Sequence, residues 1–254
     1  MELRFREYGQ GEPLVILHGL FGSSANWNGI ARQLAETQRV LVPDLRNHGG
    51  SPHRAGMSYP ELAGDLLAWM DRQDLGSAWL MGHSMGGKLA MWLALHHPER
   101  VARLVVVDIA PVAYGHDFRP FIHAMRAVEQ VGVRSRAEAE SRLTPVVPDP
   151  AVRQFLLQNL VAADGRYRWR INLDALEAGM PDIVGFPEPD AATAYTAPAL
   201  FVHGARSDYL GAEALPVIAK WFPAAEVIRI ADAGHWLHVE QPRALLDALN
   251  RFAA

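Results

Sequence analysis

The segment Gly82-His83-Ser84-Met85-Gly86-Gly87 constrains this chain more than any other. An apolar run, Ala78-Trp79-Leu80-Met81, precedes it, and an Ala/Leu/Met-rich stretch from Met85 to His97 follows, stopped by Pro98. The pattern is G-x-S-x-G between a strand and a helix. Such a turn is too tight for large neighbours, so the flanking positions are glycine. The bend lifts Ser84 Oγ above the end of a sheet. The helix N-terminus behind it directs N–H groups toward developing negative charge.

Around this turn, short apolar runs alternate with helical patterns. Leu14–Leu17, Val40–Val42, Ala78–Met81, Leu104–Val107, Leu200–Val202 and Val227–Ile230 read as strands, and Leu3–Tyr8 as an edge strand ending in the turn Gly9-Gln10-Gly11. Helices are expected over Tyr59–Asp71, Met85–His97 and Glu240–Phe252. The alternation predicts an α/β, mostly parallel, doubly wound sheet of about seven to eight strands. It breaks between Pro111 and Pro198, where no strand pattern stands out. Helical candidates there are Phe118–Val131, Arg136–Leu143 and Ala151–Val161. This stretch is read as a helical cap inserted before the next-to-last strand. The domain division is then 1–110 for the first part of the core, 111–197 for the cap and 198–254 for the rest. In open α/β sheets, ligands bind at the carboxyl edge that such a cap would cover.

A serine hydroxyl is a weak nucleophile and needs a base. His235, in Ala233-Gly234-His235-Trp236 just after the last strand, is the best candidate; His238 competes nearby. An oxyanion hole needs two backbone N–H groups. Met85, the residue after the serine, supplies one. The loop His18-Gly19-Leu20-Phe21-Gly22 supplies the other, from Leu20 or, as the alternative, Phe21.

The 254 residues carry 24 Lys plus Arg against 28 Asp plus Glu, a formal charge of −4, with half the residues hydrophobic. Mild acidity gives no reason to expect nucleic acid or an anionic membrane as partner. There is no cysteine, hence no disulfide, thiol nucleophile or thiolate metal site. No apolar run reaches the length of a membrane span. The first residues lack the apolar core of a secretion signal, and a cytoplasmic protein is expected. His18 and His48 lack the company of a metal motif, so no metal or other cofactor is expected. Gly9-Gln10-Gly11 lacks the Lys-Ser/Thr of a phosphate loop. Arg166, Arg168 and Arg170 alternate as a solvated strand face would, although they could also contact the phosphates of coenzyme A.

The segments His18-Gly19-Leu20-Phe21-Gly22-Ser23, Asp44-Leu45-Arg46-Asn47-His48-Gly49, Gly82–Gly87 and Gly234-His235, in this order, make the chain resemble the α/β-hydrolase superfamily along nearly its full length. Arg46-Asn47-His48-Gly49, Asp108-Ile109-Ala110-Pro111, Phe155-Leu156-Leu157 and Trp169-Arg170-Ile171-Asn172 narrow the likeness to bacterial YbfF-type esterases. The resemblance implies cofactor-free hydrolysis of carboxylic esters, and of acyl-thioesters such as acyl-coenzyme A, as small-molecule substrates. Many α/β-hydrolases place the triad acid three residues after the glycine that follows the next-to-last strand. Here that position is Ser207, beside Asp208. YbfF-type enzymes use an acid at the earlier strand end, which implies Asp108, with Asp208 as the alternative. Phe21, His83, Phe118, Phe121, Met125, Phe155 and Trp236 are candidate substrate contacts. Alternatives on the same scaffold are a carbon–carbon bond hydrolase or a perhydrolase; outside enzymes, a slow-turnover ligand-binding receptor. Oligomeric state is not legible.

Overall fold

The computed structural model of the chain describes residues 1–163, 165–190 and 193–253. β1 (Phe5–Tyr8) and β2 (Glu12–Leu17) open the chain, followed by α1 (Asn28–Leu34), β3 (Gln38–Pro43), α2 (Tyr59–Arg72), β4 (Ala78–His83), α3 (Met85–His96) and β5 (Val101–Val107). The next part comprises α4 (Arg119–Val131), α5 (Arg136–Leu143), α6 (Pro150–Leu157), β6 (Leu160–Ala163), β7 (Arg166–Trp169), α7 (Leu173–Ala178) and α8 (Met180–Val184). The chain closes with β8 (Ala199–Gly204), α9 (Leu215–Trp221), β9 (Ala225–Ile230), α10 (Leu237–Glu240) and α11 (Pro242–Ala253).

Seven strands form one sheet in the order β1-β3-β2-β4-β5-β8-β9. Only β1 runs antiparallel, from Phe5 opposite Pro43 to Tyr8 opposite Val40. The central strands are covered on both faces, which is why they read as continuous Val, Leu and Ile runs. Leu14, Ile16, Val40, Val42, Trp79 and Met81 face α1 and α11, while Val15, Leu17, Leu41 and Leu80 face α2 and α3. The edge strand β9 carries exposed Glu226 and Arg229, charges that discourage pairing with another chain. From β2 the chain winds outward to β3, then crosses back to β4. The loops after β2 and β4 therefore diverge at the switch point, where an open sheet leaves a crevice.

Helix ends follow local chemistry. Ser58 and Glu61 form a reciprocal capping box at the start of α2. Within α2, Leu62, Leu66 and Met70 are buried, and Leu67 is half-buried at the rim of that face. The closing helix expected from Glu240 is split. A short turn, α10, ends at Gln241, and Pro242 starts α11, the position where its missing N–H costs nothing.

Between β5 and β8 the structure corrects one expectation. The stretch is not purely helical: β6 and β7 pair as a hairpin, Leu160 opposite Trp169 and Ala163 opposite Arg166. The helix expected over Ala151–Val161 stops at Leu157. The four-residue strands were too short to stand out against the helical pattern around them. Their signature lies in β7, where exposed Arg166 and Arg168 alternate with half-buried Tyr167 and buried Trp169. Elsewhere in the stretch, α4 buries Ile122, Met125 and Val128 along one stripe.

Candidate active site

Ser84 follows the last residue of β4 at φ +53°, a left-handed conformation that an L-residue holds only under constraint. The neighbouring glycines show why. A Cβ on Gly82 would lie 2.1 Å from Gly86 O, and one on Gly86 only 2.3 Å from Leu17 O. Both clashes are with backbone, which cannot step aside. Ser84 N–H donates to Val107 O at 3.1 Å, and Ser84 O accepts from Lys88 N–H at 3.0 Å. The serine is thus fixed between the sheet and the first turn of α3.

Asp108 follows the last residue of β5, also at positive φ (+53°), and is fully buried. Its carboxylate is saturated with donors. Gly204 N–H reaches Oδ1 at 2.8 Å; the Ser207 hydroxyl and His235 Nδ1, the latter at 2.7 Å, both reach Oδ2. His235 Nδ1 therefore carries the proton, and Nε2 keeps its lone pair. Tyr209 stacks on the imidazole with ring centroids 4.0 Å apart. His83 Nε2 donates to His235 O at 2.8 Å, anchoring the loop from below. Burial first, and then the neighbouring His235 and His238, hold His83 well below the usual histidine range. Asp208 is exposed, and its side chain makes no hydrogen bond or ion pair among the described residues. His238 stacks on Trp27 at 4.3 Å; its Nδ1 is buried with no partner, and burial lowers its pKa to about 4. Ser207, at the position where many α/β-hydrolases carry the acid, here acts as a donor to the acid. The clue was its position three residues after Gly204.

The loop after β2 is held in the same detail. Gly19 O accepts from Gly22 N–H at 3.0 Å and from His18 Nδ1 at 2.8 Å. His18 Nε2 accepts from Leu45 N–H at 3.0 Å, which puts the His18 proton on Nδ1. A trans peptide points its N–H opposite its C=O, so Leu20 N–H faces away from Gly19 O. Leu20 N–H has no intramolecular partner among the described residues. Phe21 N–H is engaged, donating to His48 Nε2 at 3.2 Å. Of the two loop candidates, Leu20 has the free donor. Burial, together with the neighbouring His18, lowers the His48 pKa to about 3. His18 and His48 are neutral loop supports, and no group of metal-ligating residues occurs among the described residues.

Ser84, His235, Leu20 and Met85 line one cavity of about 860 Å³, its mouth included. Phe21, His83, Phe118, Phe121, Phe155 and Trp236 also line it. Phe155 and Trp236 approach to 5.4 Å across the boundary between the β5–β8 stretch and the core. Met125 is a correction. It lies outside the cavity, fully buried, and its carbonyl accepts from Trp169 Nε1. The stripe of α4 that carries Met125 packs inward, whereas Phe118 and Phe121 sit at the helix start beside the cavity. Sequence reasoning missed Tyr114, Tyr209 and Lys88 in the lining. Lys88 lies one turn after Ser84 and is 1% exposed, donating to Val184 O and Gly185 O at 2.7 Å each. Its ammonium sits 4.6 Å from the centre of the Tyr114 ring, and burial brings its pKa down to about 7.

A strained serine at a strand–helix turn, and a histidine in the same cavity bonded to a buried acid behind it, define the class. Residues 12–242 match the family model for the alpha/beta hydrolase fold, and the chain belongs to this family of hydrolases. It is 42% identical over 252 residues to the sn-1-specific diacylglycerol lipase ABHD11 of Danio rerio, covering 96% of this chain and 79% of that protein. It is 38% identical over 243 residues to the esterase YbfF of Escherichia coli, covering 94% and 92%. A solved marine microorganism esterase superposes with a TM-score of 0.95 at 39% identity over 99% of both chains. These relatives are named as lipases and esterases, and the chain is a serine ester hydrolase by class. Among the described residues, no helix is long and apolar enough to cross a membrane.

Proposed function

We propose that the protein is a carboxylesterase working through an acyl-enzyme on Ser84. His235 Nε2 takes the hydroxyl proton as Ser84 Oγ attacks the acyl carbonyl. Negative charge grows on the carbonyl oxygen, and the N–H groups of Leu20 and Met85 receive it; Met85 N–H, the first of α3, has no carbonyl one turn earlier to occupy it. Asp108 stabilises the imidazolium and holds its tautomer. The imidazolium then protonates the leaving alcohol. Water, activated by the same histidine, cleaves the acyl-enzyme. Residues 111–197 serve as the cap that closes the acyl site, with Phe118, Phe121 and Phe155 as its apolar wall. Thioesters follow the same path with a thiol as leaving group, and the steps require no cofactor.

One observation carries this reading: the 2.7 Å contact of His235 with a buried Asp108, beside the cavity that Ser84 lines. The kinship with enzymes named as an esterase and a diacylglycerol lipase supports carboxylic esters as the substrate class. The test is a series of p-nitrophenyl esters of rising acyl length, run beside acyl-coenzyme A thioesters. Turnover that disappears in Ser84→Ala supports the reading. Absence of turnover in the wild type, or its survival in Ser84→Ala, refutes it.

A further inference from the structure

Asn159 lies at the corner between α6 and β6 and is 4% exposed. Its Nδ2 donates to Phe21 O at 2.7 Å, joining groups 138 residues apart in sequence, and to Leu156 O at 3.3 Å. Both acceptors are carbonyl oxygens, so the amide nitrogen must face them. Phe21 itself sits at φ +61°, a conformation unfavourable for a bulky side chain. It is held at both ends, its N–H by His48 and its carbonyl by Asn159.

The consequence reaches Leu20. The peptide unit whose carbonyl Asn159 binds carries Gly22 N–H on its other side, and that N–H donates to Gly19 O at 3.0 Å. The peptide unit of Gly19 O in turn carries Leu20 N–H on its other side. Donors and acceptors run in series: Asn159 amide to Phe21 carbonyl, Gly22 N–H to Gly19 carbonyl, then Leu20 N–H into the cavity. Each link fixes the plane of the next peptide and polarises its N–H.

We propose that Asn159 is a positioning residue for the oxyanion hole, acting on Leu20 N–H through the Phe21–Gly22 peptide. The hole is then complete only while the α6–β6 corner is seated on the loop after β2. This proposal rests on the acyl-enzyme reading above. The adjacent residue provides an internal control. Gln158 Oε1 accepts from Asn26 Nδ2 at 2.7 Å, tying the same corner to the same loop without touching the series of peptides.

The test compares the wild type with Asn159→Ala, Asn159→Asp and Gln158→Ala. Steady-state kinetics on p-nitrophenyl acetate are measured beside inhibition by butylboronic acid, whose tetrahedral serine adduct places an oxygen in the hole. Losing a direct donor costs about 10²–10³ in rate. For loss of a support, a fall of about 10-fold in kcat is expected in both Asn159 variants. KM should stay within about twofold, and boronate affinity should fall by the same factor as kcat. Gln158→Ala should alter neither quantity. Asn159→Asp keeps the shape of the side chain but cannot donate when ionised, so it carries the test if Asn159→Ala fails to fold. The proposal is overturned if both Asn159 variants match the wild type, or if Gln158→Ala loses as much. A wild type without esterase turnover defeats the underlying reading instead.

Discussion

Asp108 and His235 are 127 residues apart in sequence and meet at 2.7 Å, Oδ2 to Nδ1. The acid is fully buried, and no water is needed to satisfy it, because Gly204 and Ser207 supply its other donors. Asp208, one residue past Ser207, is exposed. Replacing Asp108 by Asn keeps the shape and removes the charge and the tautomer control. Asp108→Asn should lower kcat on p-nitrophenyl butyrate by up to about 10⁴-fold, while Asp208→Asn should stay close to wild type. Stopped-flow or steady-state assays on the two purified variants decide the assignment.

Ser207 and His235 bind the same carboxylate oxygen, so a side chain at 207 reaches the neighbourhood of the imidazole. Without the Ser207 hydroxyl, Asp108 holds more negative charge and stabilises the imidazolium more strongly. In Ser207→Ala, the acid limb of the kcat/KM profile should therefore move to higher pH. A carboxylate placed at 207 should also substitute for the missing one. The double variant Asp108→Asn/Ser207→Asp is expected to recover at least about 10-fold over Asp108→Asn alone. A pH–rate series on the four proteins measures both effects.

Three buried histidines and one half-buried one make the fold sensitive to acid. Burial keeps His18, His48, His83 and His238 neutral in the folded state, His48 down to about 3 and His238 down to about 4. Unfolded, each titrates near its ordinary value of about 6.5. Below that pH the unfolded chain binds more protons than the folded one, so stability falls as pH falls toward the folded values. Each such group contributes a slope of about 1.4 kcal/mol per pH unit. Urea midpoints should drop steeply from pH 7 to pH 5. His238→Phe, which keeps the stack on Trp27 and leaves no lost partner for Nδ1, should flatten that slope by about one group.

Phe155 and Met125 separate cavity wall from core. Phe155 lines the cavity and touches Trp236, whereas Met125 is sealed on the buried stripe of α4. Phe155→Ala should shift the acyl-length profile toward longer chains with a small change in melting temperature. Met125→Ala should leave the profile unchanged and lose about 2–5 kcal/mol of stability. An ester series and a thermal melt on each variant distinguish the two roles.

How much was legible depends on whether the relevant signal is local. The central strands of the sheet show in the sequence because burial on both faces forces Val, Leu and Ile into unbroken runs. The turn at Ser84 shows because Gly82 and Gly86 leave no room for a Cβ. The β6–β7 hairpin did not show, since four residues are too few for a period of two to stand out. Met125 looked like Phe121 on paper, because an apolar position on an amphipathic helix does not say which surface it meets.

From its sequence alone, the chain was committed to a doubly wound α/β sheet, to a serine at a strained turn and to a histidine after the last strand. Those features are dictated by residue types within a few positions of one another. Which aspartate joins the histidine, which N–H of the β2 loop is free, and what Asn159 holds were decided by tertiary structure. Each is a hydrogen bond between segments far apart in sequence, and its partners are chosen by where the sheet order brings the loop ends together.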